Sequence, residues 1–206
     1  MSEDHDLSFY RAALDGLSSP PVSVQAAIGL AAALRELSAA VVTSHAPPDV
    51  LAGAERTIRG LTARLGPAGR SAVERSTERA GPSGRYMNHP FYGPAHPAAV
   101  PMAIAFDGGI SARTSYGVTS EGRTGQVHPG CLAAGMLSLV SLTAVSNGRR
   151  GRIRSAEMAF PSPAPLHTEL RYRLAVTDRE GDSTRLSAEI QGHDRLLVEA
   201  TAVVAR

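Results

Sequence analysis

The chain has 206 residues, enough for one domain with an appendage, and 43% hydrophobic against 19% charged residues excludes a disordered chain. Its 21 basic side chains are all arginine, and the 19 acids leave a formal charge of +2, too small and too scattered to argue for nucleic-acid binding. Cys131 is the single cysteine, so no internal disulfide can form, and a reducing, cytoplasmic compartment is expected.

The opening stretch MSEDHDLSFYRAALDG is acidic and carries no apolar signal core. In VQAAIGLAAALRELSAAVV, residues Ala27, Leu30, Leu34, Leu37 and Val41 fall on one helical face. The HAPPD turn ends that helix. In DVLAGAERTIRGLTARLG, residues Leu51, Ala54, Ile58, Leu61 and Leu65 recur at steps of three and four. These patterns predict two antiparallel helices, read as a structural cap or an oligomer contact rather than a ligand lid. Residues 66–101 are rich in Gly, Pro, Ser and Arg and hold no regular helix or interior strand. So long an irregular connection is expected to wrap over a site. We divide the chain into an N-terminal helical extension and linker, 1–85, and a main domain, 86–206.

After Met102 the pattern changes to strands. MAIAFDGG and ISARTSYGVT flank a glycine turn, and RIRSAEMAF, LRYRLAVTD, TRLSAEIQG and RLLVEATAVVA follow, each bounded by turn residues. Leu170, Tyr172, Leu174 and Val176 alternate with polar positions, as do Leu186, Ala188 and Ile190. That alternation means an antiparallel sheet with one buried and one wet face. The DREGD stretch at Asp178 reads as a hairpin turn. Between the first two strands and the last four lies GQVHPGCLAAGMLSLVSL, inside a run from Thr124 to Gly148 without a charged side chain. Its apolar part is shorter than the roughly 20 residues of a bilayer span, so no membrane association is expected. A helix without a polar face should be covered on nearly all sides. The expected fold is therefore α+β, a curved antiparallel sheet around one central helix. On that helix Cys131 reads as a small buried side chain rather than a nucleophile.

Three stretches carry a resemblance to the hotdog-fold thioesterases, in particular the PaaI-like group. SEGRTGQVHPG is similar to the family's Glu-Gly, a short Gly/Pro segment and His-Gly-Gly at the start of the central helix. In MAFPSPAPLHTEL, residues Pro163, Pro165 and Leu166 match a Tyr-Arg-x-Pro-x-Pro-Leu-Gly pattern, with Phe160 for the tyrosine and His167 for the glycine. NHPFYGPAHPAAVP resembles the Pro-rich approach to the first strand. The resemblance covers Asn88 to Arg206. It implies hydrolysis of acyl-CoA or acyl-carrier thioesters, without a cofactor, at a site between the subunits of a homodimer or tetramer. In that chemistry the amides at the helix N-terminus stabilise an oxyanion while a carboxylate acts as base or nucleophile.

Carried over residue by residue, His128 takes the family histidine and orients loop and substrate, while Gly130 keeps the second glycine and its amide. Pro129 replaces the first glycine and has no amide to donate, though it suits a first helical position. The family's acid position falls at Leu137, beside Ser138. No acid lies anywhere between Thr124 and Gly148. The candidate catalytic set is therefore Glu121, His128 and Gly130, with Asn88, His89, Pro129, Leu137 and Ser138 as substrate-binding positions. The plain reading of Glu121 is a loop cap or a partner for an arginine. Asp107 reads as a turn residue, and His89, His96 and His167 as loop histidines able to supply a base. Ser138 and Ser141 are expected to bond the preceding helical turn. No His/Cys/Asp cluster has metal spacing, so no metal is expected. Two alternatives stay open: a non-hydrolytic hotdog that binds an acyl or other apolar ligand, and a hotdog dehydratase or cyclase of a specialised pathway.

Overall fold

The computed structural model describes residues 22–66, 86–106, 109–149 and 151–206. Asp107, read above as a turn residue, lies outside them. In chain order the elements are α1 (Val22–Thr43), α2 (Pro48–Leu65), β1 (Ala103–Phe106), β2 (Ile110–Ser115), a 3-10 turn (Val118–Ser120), α3 (Pro129–Ser146), β3 (Arg152–Ala159), β4 (Glu169–Glu180), β5 (Ser183–Gly192) and β6 (Arg195–Ala205). The strands form one antiparallel sheet in the order β1-β2-β4-β5-β6-β3.

Period-2 alternation fixes the two faces of this sheet. Leu170, Tyr172 and Leu174 are buried, as are Leu186, Ala188 and Ile190, while Arg171 and Arg173 between them are exposed. The β5–β6 hairpin closes through His193 and Asp194, whose φ angles of 47° and 58° are those of a two-residue primed turn. The β4–β5 turn is tighter than DREGD suggested: the ladder runs to Glu180↔Ser183, leaving Gly181, at φ 54°, and Asp182 to make the reversal. β3 lies at the sheet edge, paired to β6, and most of its residues are exposed.

α3 lies against the buried face. Met136, Leu139 and Thr143 are fully buried on it. The expectation that α3 is covered nearly all round is corrected by the structure. Ala134, Leu137 and Ser138 are half-buried and Ser141 is exposed, which leaves an open strip continuing from the exposed Gly130. A single sheet can cover only the helix face turned towards it, and the apolar composition of α3 says nothing about what meets the opposite face.

Gly135 sits where the helix comes closest to its neighbours. A Cβ there would lie 2.8 Å from the Tyr116 hydroxyl, 3.0 Å from Met102 Cε and 3.2 Å from the Tyr172 hydroxyl. The missing side chain makes room for a buried pair in which the Tyr116 and Tyr172 oxygens are 2.7 Å apart. Tyr116 also donates to the Cys131 carbonyl at 3.4 Å, so the pair ties the sheet to the first turn of α3.

The N-terminal region is built differently. α1 rests on the domain through the buried Ala31 and the partly buried Val24 and Ile28. Arg35 donates to the carbonyls of Pro94 and His96 in the Pro-rich segment. Yet Leu30, Leu34, Leu37 and Val41, the face expected to be apolar contact, are 37–60% exposed. The α2 face is no better covered: Leu51, Ile58, Leu61 and Leu65 are 38–66% exposed, and α2 buries no residue.

Candidate active site

Three segments converge on the N-terminus of α3. Val127 N–H donates to the Ala164 carbonyl and Leu166 N–H to the Gly125 carbonyl, so the Pro163–Leu166 stretch pairs with the approach to the helix. His167 N–H donates to Tyr116 O and His128 N–H to Ser120 O, which adds the end of β2 and the 3-10 turn. Gly122 packs directly on His128: a Cβ there would lie 2.9 Å from His128 Cα and 3.2 Å from its ring. The Glu-Gly part of the motif thus allows a close approach that any side chain would block.

The residues singled out in the sequence fall into two groups. Glu121, His128, Pro129 and Gly130 are neighbours at the helix N-terminus and are exposed. Glu121 Oε1 accepts the Gly125 N–H at 2.6 Å and so closes the loop that precedes the helix. His128 is the N-cap, and its Nδ1 accepts the Gly130 N–H at 2.9 Å. Pro129 starts the helix, where its missing N–H costs nothing. The N–H groups of Cys131 and Leu132 both reach the His128 carbonyl, at 2.9 and 3.5 Å. Every first-turn amide is therefore already engaged, and the oxyanion donor expected at Gly130 is held by the histidine beside it. Leu137 and Ser138 lie further along, on the half-open strip. Ser138 donates to Ala134 O at 2.8 Å and Ser141 to Leu137 O at 3.2 Å, the backbone bonding expected of helical serines.

The second group belongs to the Pro-rich segment. His89 stacks flat on the buried Tyr92, with ring centroids 3.7 Å apart, and its Nδ1 accepts the Phe91 N–H at 3.3 Å. His96 Nδ1 likewise accepts the Ala98 N–H at 3.2 Å. Both imidazoles therefore hold their own loop. Asn88 lies in the same segment, one residue after the buried Met87. His167 takes φ 57°, a left-handed conformation that explains the glycine of the family pattern at this place. Among the described residues no three His, Cys, Asp or Glu groups gather to hold a metal ion.

The tyrosine pair behind the first turn of α3 was not singled out in the sequence. Its one signal was Gly135 in the middle of an otherwise good helix. Burial pushes the Tyr116 hydroxyl up to about 12 and holds Tyr172 well above the ordinary tyrosine value, so both stay protonated and serve as hydrogen-bond partners.

No family model and no curated protein sequence matches the chain. A crystal structure of a thioesterase-superfamily protein does match in three dimensions, with a TM-score of 0.73 at 18% identity, over 87% of this chain and 90% of that one. The chain has the hotdog fold. The match also reaches into the N-terminal region, because residues 86–206 alone make up well under two-thirds of the length. Two further matches each cover about half of this chain. A hypothetical thioesterase from Streptococcus pneumoniae, solved with coenzyme A, has a TM-score of 0.48 at 18% identity over 50% of this chain and 86% of that one. A mutant of the phenylacetic acid degradation protein PaaI from Thermus thermophilus has a TM-score of 0.49 at 16% identity over 52% and 94%.

Proposed function

We propose that this hotdog protein is an acyl-thioester hydrolase with an atypical catalytic set, acting on acyl-CoA or an acyl carrier. The half-open apolar strip of α3 carries the reading. It runs from the capped helix N-terminus past Ala134, Leu137 and Ser138, and so offers an acyl chain a path that starts where a carbonyl would sit. The reaction needs one rearrangement. The thioester carbonyl replaces His128 Nδ1 as acceptor of the Gly130 N–H, and the imidazole turns aside. Glu121 holds the loop through Oε1, and its other carboxylate oxygen directs water. Water adds to the carbonyl carbon and gives up a proton to that oxygen, while the oxyanion forms against Gly130. Collapse then expels the thiolate, which takes the proton back. The open strip and the edge strand β3 both call for a partner, so the working unit is a cytoplasmic homodimer or a tetramer built from it.

A panel of acyl-CoAs assayed for thiol release tests this. Turnover is expected for at least one chain length, reduced ten-fold or more in Glu121→Gln. A folded protein without turnover on every chain length contradicts it. The occupied first-turn amides favour a second reading, a hotdog that binds the acyl group without cleaving it. Binding by native mass spectrometry without thiol release would select that reading.

A further inference from the structure

We infer that α1 and α2 form an interface with a second copy of this chain, the apolar face of α1 in one copy packing on that of α2 in the other. The observation is the mismatch between pattern and burial. Both helices repeat apolar residues at helical spacing, yet both faces stay uncovered in the chain that carries them. The connection between them does not fold one stripe onto the other. It passes through Pro47, in extended backbone at φ −59° and ψ 154°, directly into Pro48 at the start of α2. The exposed parts of the stripe side chains, with Val42 and Val50 beside them, amount to on the order of 900 Å², about one partner's share of a stable interface. A soluble monomer seldom leaves so much apolar side chain in water.

A second copy fits better than an unrelated occupant because the two stripes match each other. Leu30 to Val41 on α1 spans about 17 Å and Leu51 to Leu65 on α2 about 21 Å at 1.5 Å per residue. A two-fold axis would bury both stripes of both copies at once, as an isologous contact requires. The charges do not oppose it. Arg35 is already bonded to the Pro-rich segment, and Glu55 and Arg59 pair within α2 at 2.8 Å. The interface is separate from the proposed hydrolysis. It bears on the site through α1, which packs against the Val118–Ser120 turn leading to His128.

Two differently tagged full-length chains test the pairing, both carrying Cys131→Ser, one with Leu34→Cys and the other with Ile58→Cys. Both new thiols replace exposed side chains in the middle of a stripe. A short flexible bis-maleimide is expected to give a linked species containing both tags. Adding Leu37→Glu to the first chain should cut its yield several-fold while circular dichroism stays unchanged. Absence of the mixed species, or a yield indifferent to Leu37→Glu, overturns the proposal. So does a wild-type chain that sediments as a single copy, or that floats as a single copy with phosphatidylcholine vesicles.

Discussion

By length and composition α1 and α3 both reach what a membrane crossing needs, against the expectation that the apolar part of α3 falls short of it. α3 buries Met136, Leu139 and Thr143 completely, whereas α1 buries only Ala31. The difference lies in what each sequence asks of its surroundings. α3 has apolar side chains on every face, and the sheet takes most of them. α1 has a narrow contact face, through Val24, Ile28 and Ala31, and a separate leucine stripe that the chain leaves open. α3 is a core element with one open edge, and α1 is a surface element with an uncovered stripe. Apolar composition alone did not separate the two.

Truncating one leucine in each helix should separate the two most. Leu139→Ala, at a site with no exposure, is expected to cost about 3–5 kcal/mol in denaturant unfolding. Leu34→Ala, at dilutions where the chains separate, should cost under about 1 kcal/mol. Equal costs would mean that α1 is as much core as α3.

Alkali separates the regions next, because α1 and α2 contain no tyrosine. Burial raises both Tyr86 and Tyr116 to about 12 and lifts Tyr172 well above its ordinary value. Folding thus favours the protonated hydroxyls. The stability they contribute is intact below about pH 10, the ordinary tyrosine value, and is lost as pH climbs through about 12. Each of Tyr86 and Tyr116 accounts for about 3 kcal/mol of that loss. The part of the tyrosinate absorbance that belongs to these three of the five tyrosines should rise together with loss of sheet signal rather than ahead of it.

A smaller effect tests the link between the sheet and the first turn of α3. Tyr116→Phe leaves the buried Tyr172 hydroxyl without its partner and should cost about 1–3 kcal/mol. Tyr172→Phe should cost less, since Tyr116 still donates to Cys131 O, and the double change should recover part of the loss. Additive costs would show that the two hydroxyls do not act as a pair. Smallest is a gain. Gly29 in α1 has nothing within 4 Å of a would-be Cβ, so Gly29→Ala should stabilise the helix by up to about 1 kcal/mol. The same change at Gly135 meets the tyrosine hydroxyl at 2.8 Å and should not.

Much of the domain was legible from particular residues. Alternation through Leu170–Val176 and Leu186–Ile190 set the inward face of β4 and β5, and His-Pro-Gly marked the start of α3. The open strip of α3 was not legible, because a sequence without a polar face does not say where a second layer ends. The exposed stripes of α1 and α2 failed for a related reason: periodicity identifies a contact face and leaves its partner unspecified. At the candidate site the grouping of Glu121, His128 and Gly130 followed from the resemblance of SEGRTGQVHPG to the family motif. The bond from Gly130 N–H to His128 Nδ1 could not, since it depends on a side-chain rotamer. The tyrosine pair joins residues far apart in the chain, and only Gly135 hinted at it.

On the proposed reading an acyl thioester binds at the N-terminal end of α3, with α1 and α2 apart from it. Backbone amide NMR during titration with a non-hydrolysable acyl-CoA thioether tests that directly. The predicted result is a large shift at Gly130, as its amide exchanges His128 Nδ1 for the ligand carbonyl, with smaller shifts at Leu137 and Ser138 and none along α2. An unmoved Gly130 with shifts centred on α1 or α2 would contradict it.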